Sequence, residues 1–181
     1  GDPDPDDSLA YEIRAHHLDA DTVETVHTTT GGGNRLAATA DGRVAHAVVD
    51  PDQATLRQTE LAVLDVDADT VTHPTAELDR TLGYESEPQW GPDAERLYVT
   101  TPDEGAVALW ALPWDGTGAD AMRVVREDWT SIDGAHVGDD LVAVVQSEWD
   151  HPGDLFVTTH AGTGRRRLTR VNADYLDDRA V

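Results

Sequence analysis

Hydroxyl side chains are the first groups to examine for covalent chemistry in this chain. It has 181 residues and four serines, at positions 8, 86, 131 and 147. A nucleophilic serine of the hydrolase type sits on a tight turn between a strand and a helix, in the pattern Gly-x-Ser-x-Gly, which exposes its oxygen beside an oxyanion hole. None of the four serines has glycine both two residues before and two residues after it. The sequence therefore predicts no catalytic residue in this chain.

Two groups of side chains could suggest a metal site. His16 and His17 are adjacent, but neighbouring residues of a strand point to opposite faces, and no His-Glu-x-x-His spacing accompanies them. Asp65, Asp67 and Asp69 alternate as Ca²⁺ ligands do, yet the loop is not completed by a glycine and a distant glutamate. We therefore predict no metal and no cofactor, and interpret these residues as strand histidines and a solvated acidic turn.

The charge of the chain narrows the partners that it can have. Thirty-six Asp and Glu residues face 13 basic residues, all arginine, and the net charge is −23. Nucleic-acid binding needs a basic surface, whereas the one basic run, residues 165–167, is isolated among carboxylates and is better explained as a strand that ends a repeat unit. The acidic surface, the lack of lysine and the single methionine resemble proteins of salt-accumulating halophilic archaea. We expect no nucleic-acid partner.

Cellular location is also constrained by composition. Cysteine is absent, which excludes disulfides, thiolate chemistry and cysteine-based zinc sites. No segment approaches the roughly 18 consecutive apolar residues that a membrane span requires, and the N-terminus does not resemble a signal peptide. The sequence predicts a cytoplasmic protein with no membrane partner.

An internal repeat determines the expected architecture. The pentapeptide Asp-Ala-Asp-Thr-Val at 19–23 returns at 67–71, a shift of 48 residues. The same register places Ile13 over Leu61 and then over Leu109, and it reaches Leu155 two residues early. A period of about 40 to 50 residues that holds several short strands and no helix is typical of β-propeller blades. We predict an all-β fold of four-stranded antiparallel blades, with about three and a half blades in this chain.

Turn signals divide the chain into units. In the third unit, for example, strands are predicted at 87–90, 96–101, 107–112 and 121–125, and turns such as Asp41-Gly42 and Pro92-Asp93 join the first two strands of a blade. The expected units are a disordered acidic lead-in at 1–8, propeller at 9–171 (a half blade at 9–30 and blades at 34–83, 86–128 and 130–171), and a linker at 172–181. Because propellers close with typically about four to eight blades, this arc either pairs with another copy through its open edges or belongs to a longer protein.

Two segments resemble known propeller sequences. Residues 86–97, Ser-Glu-Pro-Gln-Trp-Gly-Pro-Asp-Ala-Glu-Arg-Leu, are similar to the Pro-x-Trp-Ser-Pro-Asp-Gly-x-x-Leu phrase of TolB-like repeats, with Gly91 for the usual serine and Ala94 for the usual glycine. Residues 151–157, His-Pro-Gly-Asp-Leu-Phe-Val, followed by 167–172 and Leu176, resemble the last blade of prolyl oligopeptidase family serine peptidases, especially the acylaminoacyl-peptidase and dipeptidyl-aminopeptidase branch.

The peptidase resemblance implies a role without chemistry. In that family the propeller covers the active site and admits short peptides, while an α/β-hydrolase domain that begins just beyond this point supplies the catalytic Ser, Asp and His. The chain alone is then expected to be inactive, with the catalytic domain of its parent and the parent's peptide substrate as partners. The alternative is a free-standing TolB-like or WD40-like propeller module for protein interaction. Exopeptidase and endopeptidase parents both remain open.

The tryptophans supply the candidate binding residue. Trp90 and Trp110 fall inside predicted strands and are expected to pack between blades. Trp149 lies between Glu148 and Asp150, in the loop before Pro152. An exposed aromatic ring there could contact a peptide, and the competing interpretation is a loop that covers the blade edge.

Overall fold

The computed structural model describes residues 10–30, 36–53, 56–83, 86–125, 130–148 and 151–176. Within these ranges the chain forms fourteen strands in four antiparallel sheets. Three sheets have four strands each and one has two, so the predicted all-β fold of four-stranded blades, about three and a half in number, is confirmed. The lead-in predicted at 1–8 lies outside the described residues.

The strands follow one another in space in the order of the chain. The hairpin contains β1 (Ala10–His17) and β2 (Thr22–Thr30). The first complete sheet contains β3 (Leu36–Ala38), β4 (Arg43–Val48), β5 (Glu60–Asp65) and β6 (Thr70–Thr72). The middle sheet contains β7 (Gln89–Trp90), β8 (Arg96–Asp103), β9 (Ala106–Pro113) and β10 (Met122–Arg123). The last sheet contains β11 (Thr130–Val137), β12 (Val142–Glu148), β13 (His151–Thr158) and β14 (Arg166–Arg167).

Little of the described chain is helical. Single 3₁₀ turns occur at Pro51–Gln53 and Gly118–Asp120, and the α-helix α1 covers Ala173–Leu176. None of the helices in the described ranges is long and apolar enough to span a membrane.

The repeated pentapeptide forms the same turn twice. It joins β1 to β2 and β5 to β6, and its third residue has a positive φ in both copies, 49° at Asp21 and 52° at Asp69. Aspartate is among the residues that tolerate this left-handed conformation best. The pentapeptide therefore encodes a hairpin turn.

Residues that the repeat aligns in the sequence lie on equivalent strands in the structure. Ile13, Leu61, Leu109 and Leu155 lie in β1, β5, β9 and β13, and the last three of these are the third strands of their sheets. The backbone N–H of Leu61 donates to the Thr75 hydroxyl at 2.8 Å, and that of Leu155 donates to the Thr169 hydroxyl at 2.9 Å. The hairpin is therefore the outer half of a blade, and no described strand pairs with the second edge of β1.

The core has two parts, one on each face of the middle sheet. Because side chains alternate along a strand, Leu97 and Val99 of β8 pack towards the first complete sheet with Leu61, whereas Tyr98 packs towards the last sheet with Val144. In β9 the same alternation places Leu109 and Ala111 towards the last sheet and Leu112 towards the first complete sheet. The middle sheet is thus covered on both faces, as a blade inside a propeller is.

Candidate functional site

Trp149, the candidate binding residue, lies outside the described residues. The described residues nearest to it in the chain, Glu148 and His151, face each other across the end of the β12–β13 hairpin. Contact between Trp149 and a peptide therefore stays a prediction, and the surroundings of this hairpin end are the first place to look for a site.

Asp154 organises the described residues next to this hairpin end. It is buried in β13, and its Oδ1 accepts hydrogen bonds from the Thr169 hydroxyl at 2.7 Å and from the Val171 N–H at 3.0 Å. Its Oδ2 forms an ion pair with Arg167. Burial alone would raise the pKa of Asp154, but the hydrogen bonds from Val171, Thr169 and Arg167 outweigh it and hold the pKa below its usual value. The ionised carboxylate thus fixes the segment after β14 onto β13.

A small cavity adjoins this network. Its volume is about 50 Å³, and Gln146, Glu148 and Asp154 are among the residues that line it. The buried Gln146 donates from Nε2 to Glu148 at 3.2 Å, while its Oε1 has no hydrogen-bond partner among the described residues. A space of this size can hold a water molecule but not a peptide side chain. It therefore gives no support to a peptide site at this position.

A larger cleft lies between the middle and last sheets. It has a volume of about 610 Å³, and the buried side chains Leu109 and Ile132 line it. Two exposed carboxylates, Glu87 and Asp133, also line it, and Asp133 is the extra residue of a β-bulge in β11. Bulges redirect side chains and are frequent next to functional sites. The cleft could accommodate a ligand that carries an apolar side chain close to a positively charged group.

The serine hydroxyls that the structure describes at this cleft and beside it have structural roles. Ser86 Oγ accepts a hydrogen bond from the N–H of Thr100 at 2.9 Å, and Ser131 Oγ accepts one from the N–H of Val107 at 3.2 Å. Both oxygens complete the bonding of backbone groups of the middle sheet. Neither geometry is that of a nucleophile activated by a base.

The two histidines considered as metal ligands have carboxylate partners. His16 Nε2 lies 3.0 Å from Asp21, and His17 Nε2 lies 2.8 Å from Glu24. Within the part of the chain that the structure describes, no three His, Asp or Glu side chains form a group that could hold a metal ion.

An arginine between two tryptophans connects the first complete sheet to the middle sheet. The Arg43 guanidinium carbon lies 5.3 Å from the ring centroid of Trp90 and 4.8 Å from that of Trp114. Arg43 also donates to the Ala94 carbonyl at 2.9 Å and to Asp41 at 2.7 Å. The hydrogen bond to Asp41 raises the pKa of Arg43, so the group stays charged. The expected packing of Trp90 between blades is therefore seen, whereas the role of Arg43 was not predicted from the sequence.

Comparison with solved structures identifies the fold. The β-propeller domain of the Trilobed protease from Pyrococcus furiosus aligns with 90% of this chain and 52% of its own length, at 17% identity and a TM-score of 0.58. The acylaminoacyl peptidase of Pyrococcus horikoshii aligns with 88% of this chain and 23% of its own, at 16% identity and a TM-score of 0.64. TolB from Acinetobacter baumannii aligns with 87% of this chain and 37% of its own length, at 14% identity and a TM-score of 0.61.

These similarities define architecture only. No protein-family model and no curated protein matches the chain. The chain spans about half the length of the Trilobed protease propeller and smaller shares of the other two structures. At identities of 14 to 17%, a structural match reports the fold and not the activity. The chain therefore has the β-propeller fold that the Trilobed protease propeller domain, the acylaminoacyl peptidase and TolB contain.

Proposed function

We propose that this chain is a propeller segment of a prolyl-oligopeptidase-like serine peptidase, in which it controls peptide access to a catalytic domain outside the chain. The observation that carries the proposal is the resemblance of residues 151–157 and 167–172 to the last blade of these peptidases. The alignment of 88% of this chain with an acylaminoacyl peptidase, at a TM-score of 0.64, agrees with it in fold. These two segments are the ones that the Asp154 network joins.

The cleft between the middle and last sheets is the surface that we assign to the peptide. It is lined by apolar side chains and by the carboxylates of Glu87 and Asp133. An unfolded peptide can present an apolar side chain and a cationic group together, whereas a folded protein cannot enter a space of about 610 Å³. This supports a filter that selects by size and by the absence of folded structure.

The first experiment is to sequence the coding region past Val181. We expect an open reading frame that contains Gly-x-Ser-x-Gly and then the aspartate and histidine of a hydrolase triad. The full parent and a version lacking residues 10–176 would then be compared on short peptides and on folded proteins. Loss of the propeller should extend activity to the larger substrates. A stop codon directly after Val181 would overturn the proposal.

The isolated chain provides a second test. It should not react with a fluorophosphonate probe for activated serines, because none of its four serines lies in a Gly-x-Ser-x-Gly motif, and the Ser86 and Ser131 oxygens accept from backbone N–H groups. A matched Ser86→Ala variant would show whether any label lies on Ser86. Covalent labelling of the isolated chain would contradict a purely non-catalytic role.

A free-standing TolB-like interaction module is the alternative. The match to TolB, with a TM-score of 0.61, is as good as those to the peptidases, so the fold favours neither function. The edge of β1 that pairs with no described strand also allows self-association. Affinity capture in high salt and sedimentation of the isolated chain would test these partners. Stoichiometric capture of a protein with no hydrolase sequence would favour the module.

We further propose that the parent works in the salt-rich cytoplasm of a halophilic archaeon. The net charge of −23 supports this, because carboxylates repel over about 30 Å at 0.01 M salt but over only about 3 Å at 1 M salt. Arginine as the sole strong base fits the same habitat. Thermal unfolding followed by circular dichroism should show a midpoint that rises steeply with KCl. A midpoint independent of KCl would contradict this proposal.

A further inference from the structure

The hairpin is held on the first complete sheet by few groups. The Thr30 hydroxyl donates to the Val49 carbonyl at 2.6 Å, and the Val49 N–H donates to the Thr30 carbonyl at 3.0 Å. Of the described hairpin residues, Ile13 and Thr29 are the buried ones. The hairpin therefore lacks the extensive apolar contact that joins the complete sheets to one another.

His46 of β4 lies in this interface with an unsatisfied nitrogen. Its side chain is almost completely buried, with 2% of the residue exposed. Nδ1 lies 3.3 Å from the Thr29 hydroxyl and 3.4 Å from the Ala47 carbonyl, whereas Nε2 has no hydrogen-bond partner among the described residues. The ring centroid lies 5.6 Å from that of His27 in β2. His46 thus links the hairpin to the sheet through Nδ1 and leaves Nε2 without a hydrogen-bond partner among the described residues.

Three histidines share a cavity at this interface. A space of about 340 Å³ is lined by His27 of β2, His46 of β4 and His73, which follows β6, together with threonines and aliphatic side chains. The described residues that line it include no carboxylate and no arginine. In a chain of net charge −23, the three imidazoles are therefore placed where no described lining residue can neutralise a proton.

Charged groups line an adjoining cavity of about 670 Å³. This second cavity shares Thr30, Val48 and His73 with the first. Its charged lining residues are Asp50, Arg57, Glu60 and Asp79. None of these four residues lines the cavity in which His46 and His27 lie.

The interface favours neutral His46. Burial is the largest influence on the pKa of His46 and lowers it; the hydrogen bond with the Ala47 carbonyl raises it by less, and the charges of His27 and His73 lower it further. A proton on His46 would place a charge in a nearly solvent-free contact, beside two other imidazoles. Detaching the hairpin would return that charge to water.

We propose that the β1–β2 hairpin is a flap that pH releases: it lies on the first complete sheet while the buried His46 is neutral, and it opens when His46 takes up a proton. The native pKa of His46 lies below the ordinary value of 6.5. The closed state is therefore fully stabilised above about pH 6.5 and loses stability as pH falls from there towards the native pKa. The opening constant should rise by up to about tenfold per pH unit for each proton taken up. This inference is independent of the proposed function.

Hydrogen exchange of the full chain tests the flap. The measurement compares about pH 7.5 with about pH 5, at constant high salt and after correction for intrinsic exchange. We expect residues 10–30 to be less protected at the lower pH than at the higher one, whereas residues 96–113 in the middle sheet should be equally protected at both. His46→Gln keeps a hydrogen-bonding side chain that cannot take up a proton, so its hairpin protection should not depend on pH.

The control is the histidine at the other interface. His160 Nε2 lies 2.9 Å from the Gly138 carbonyl in the last sheet, and His160→Gln should leave the pH dependence of the hairpin unchanged. If His46→Gln does not fold, the double variant His27→Gln, His73→Gln should show a weaker dependence, and NMR titration should give His46 a pKa below 6.5. The proposal would be overturned if the hairpin were equally protected at both pH values, or if its protection in His46→Gln depended on pH as in the native chain. It would also be overturned if every sheet lost protection equally.

Discussion

The two faces of the middle sheet are joined to their neighbours by different chemistry, although the sheets are repeats. On one face, the indole N–H of Trp90 donates to the Ala37 carbonyl at 2.9 Å. On the other, the amide of Gln89 donates to the Ala135 carbonyl and accepts from the Val137 N–H, both at 2.9 Å. These adjacent residues of β7 point to opposite faces because strand side chains alternate. The Trp90 side chain holds one neighbouring sheet, and the Gln89 amide, bonded to the backbone of β11, holds the other.

The ion pairs of the middle and last sheets show a similar contrast. Arg123 and Arg167 occupy equivalent positions in the fourth strands, and each donates from Nε to the carbonyl two residues later, Val125 at 3.0 Å and Thr169 at 2.9 Å. Their carboxylate partners differ, however. Arg123 contacts Asp103 at the end of β8, which also binds Arg80 at 2.8 Å, whereas Arg167 contacts Asp154 in β13. The repeat places the arginine, and the local packing selects its partner.

The largest expected effect is at the aromatic face. Trp90→Ala removes the ring beneath Arg43 and the bond to Ala37, and should lower the free energy of unfolding by about 3 kcal/mol. Trp90→Phe keeps a ring and should cost only about 1 kcal/mol. Urea unfolding in high salt measures both. Equal losses for the two variants would assign the stability to the N–H group and not to the ring.

The amide face should be weaker. Gln89→Ala leaves the Val137 N–H and the Ala135 carbonyl without this partner, and should cost about 1 to 2 kcal/mol. Because Gln89 and Trp90 share no hydrogen-bond partner, the losses in the double variant with Trp90→Ala should add to within about 0.5 kcal/mol. A larger coupling in urea unfolding would show that the two faces of the middle sheet are not independent.

Arg43→Lys should have a smaller effect, of about 1 kcal/mol. Lysine keeps the charge but loses the planar stacking on Trp90 and Trp114 and the forked contact with Asp41 and Ala94. The matched control is Arg14→Lys, whose exposed pair with Glu12 should contribute less than about 0.5 kcal/mol. If the two substitutions had equal effects in thermal unfolding, the contribution of stacking would be refuted.

The smallest expected effect is the pH dependence of the stabilisation by Asp154, which should become visible only in strong acid. Its native pKa lies below the ordinary value of 3.8, so its stabilising contribution is complete above that value and is lost as pH falls through the native pKa. The difference in midpoint temperature between the native chain and Asp154→Asn should therefore be constant near neutral pH and shrink in strong acid. A difference that does not change with pH would assign the stabilisation to hydrogen bonding alone.

Much of the fold could be predicted from local patterns. The repeated pentapeptide, the turns with Asp-Gly and Pro-Asp, and the alternation of apolar residues predicted the sheets and their antiparallel order. The ends of the outer strands were less predictable. The strand expected at 121–125 is a strand only at Met122 and Arg123, and one further backbone bond joins the Val124 N–H to the Leu109 carbonyl of β9 at 2.9 Å. Outer strands have one paired edge, so packing and not propensity decides where they end.

The candidate sites were far less predictable. Trp149 lies outside the described residues, and its role stays a prediction. The groups that the structure brings together were not singled out from the sequence: Arg43 with Ala94, Gln89 with Val137, and His46 with Thr29. The contacts of Arg43 and Gln89 join residues 51 and 48 positions apart. Alternation shows which face a side chain occupies but not what lies opposite that face.

The repeat, the four-stranded blade and the strongly acidic character can be obtained from the sequence alone, because period, turn chemistry and charge are properties of neighbouring residues. Folding is needed to bring His46, His27 and His73 to one cavity and to give equivalent arginines different carboxylates. The physical reason is that hydrogen bonds and pKa values depend on distances and burial between residues far apart in the chain. In a repeat fold, these distances are set where one sheet packs on the next.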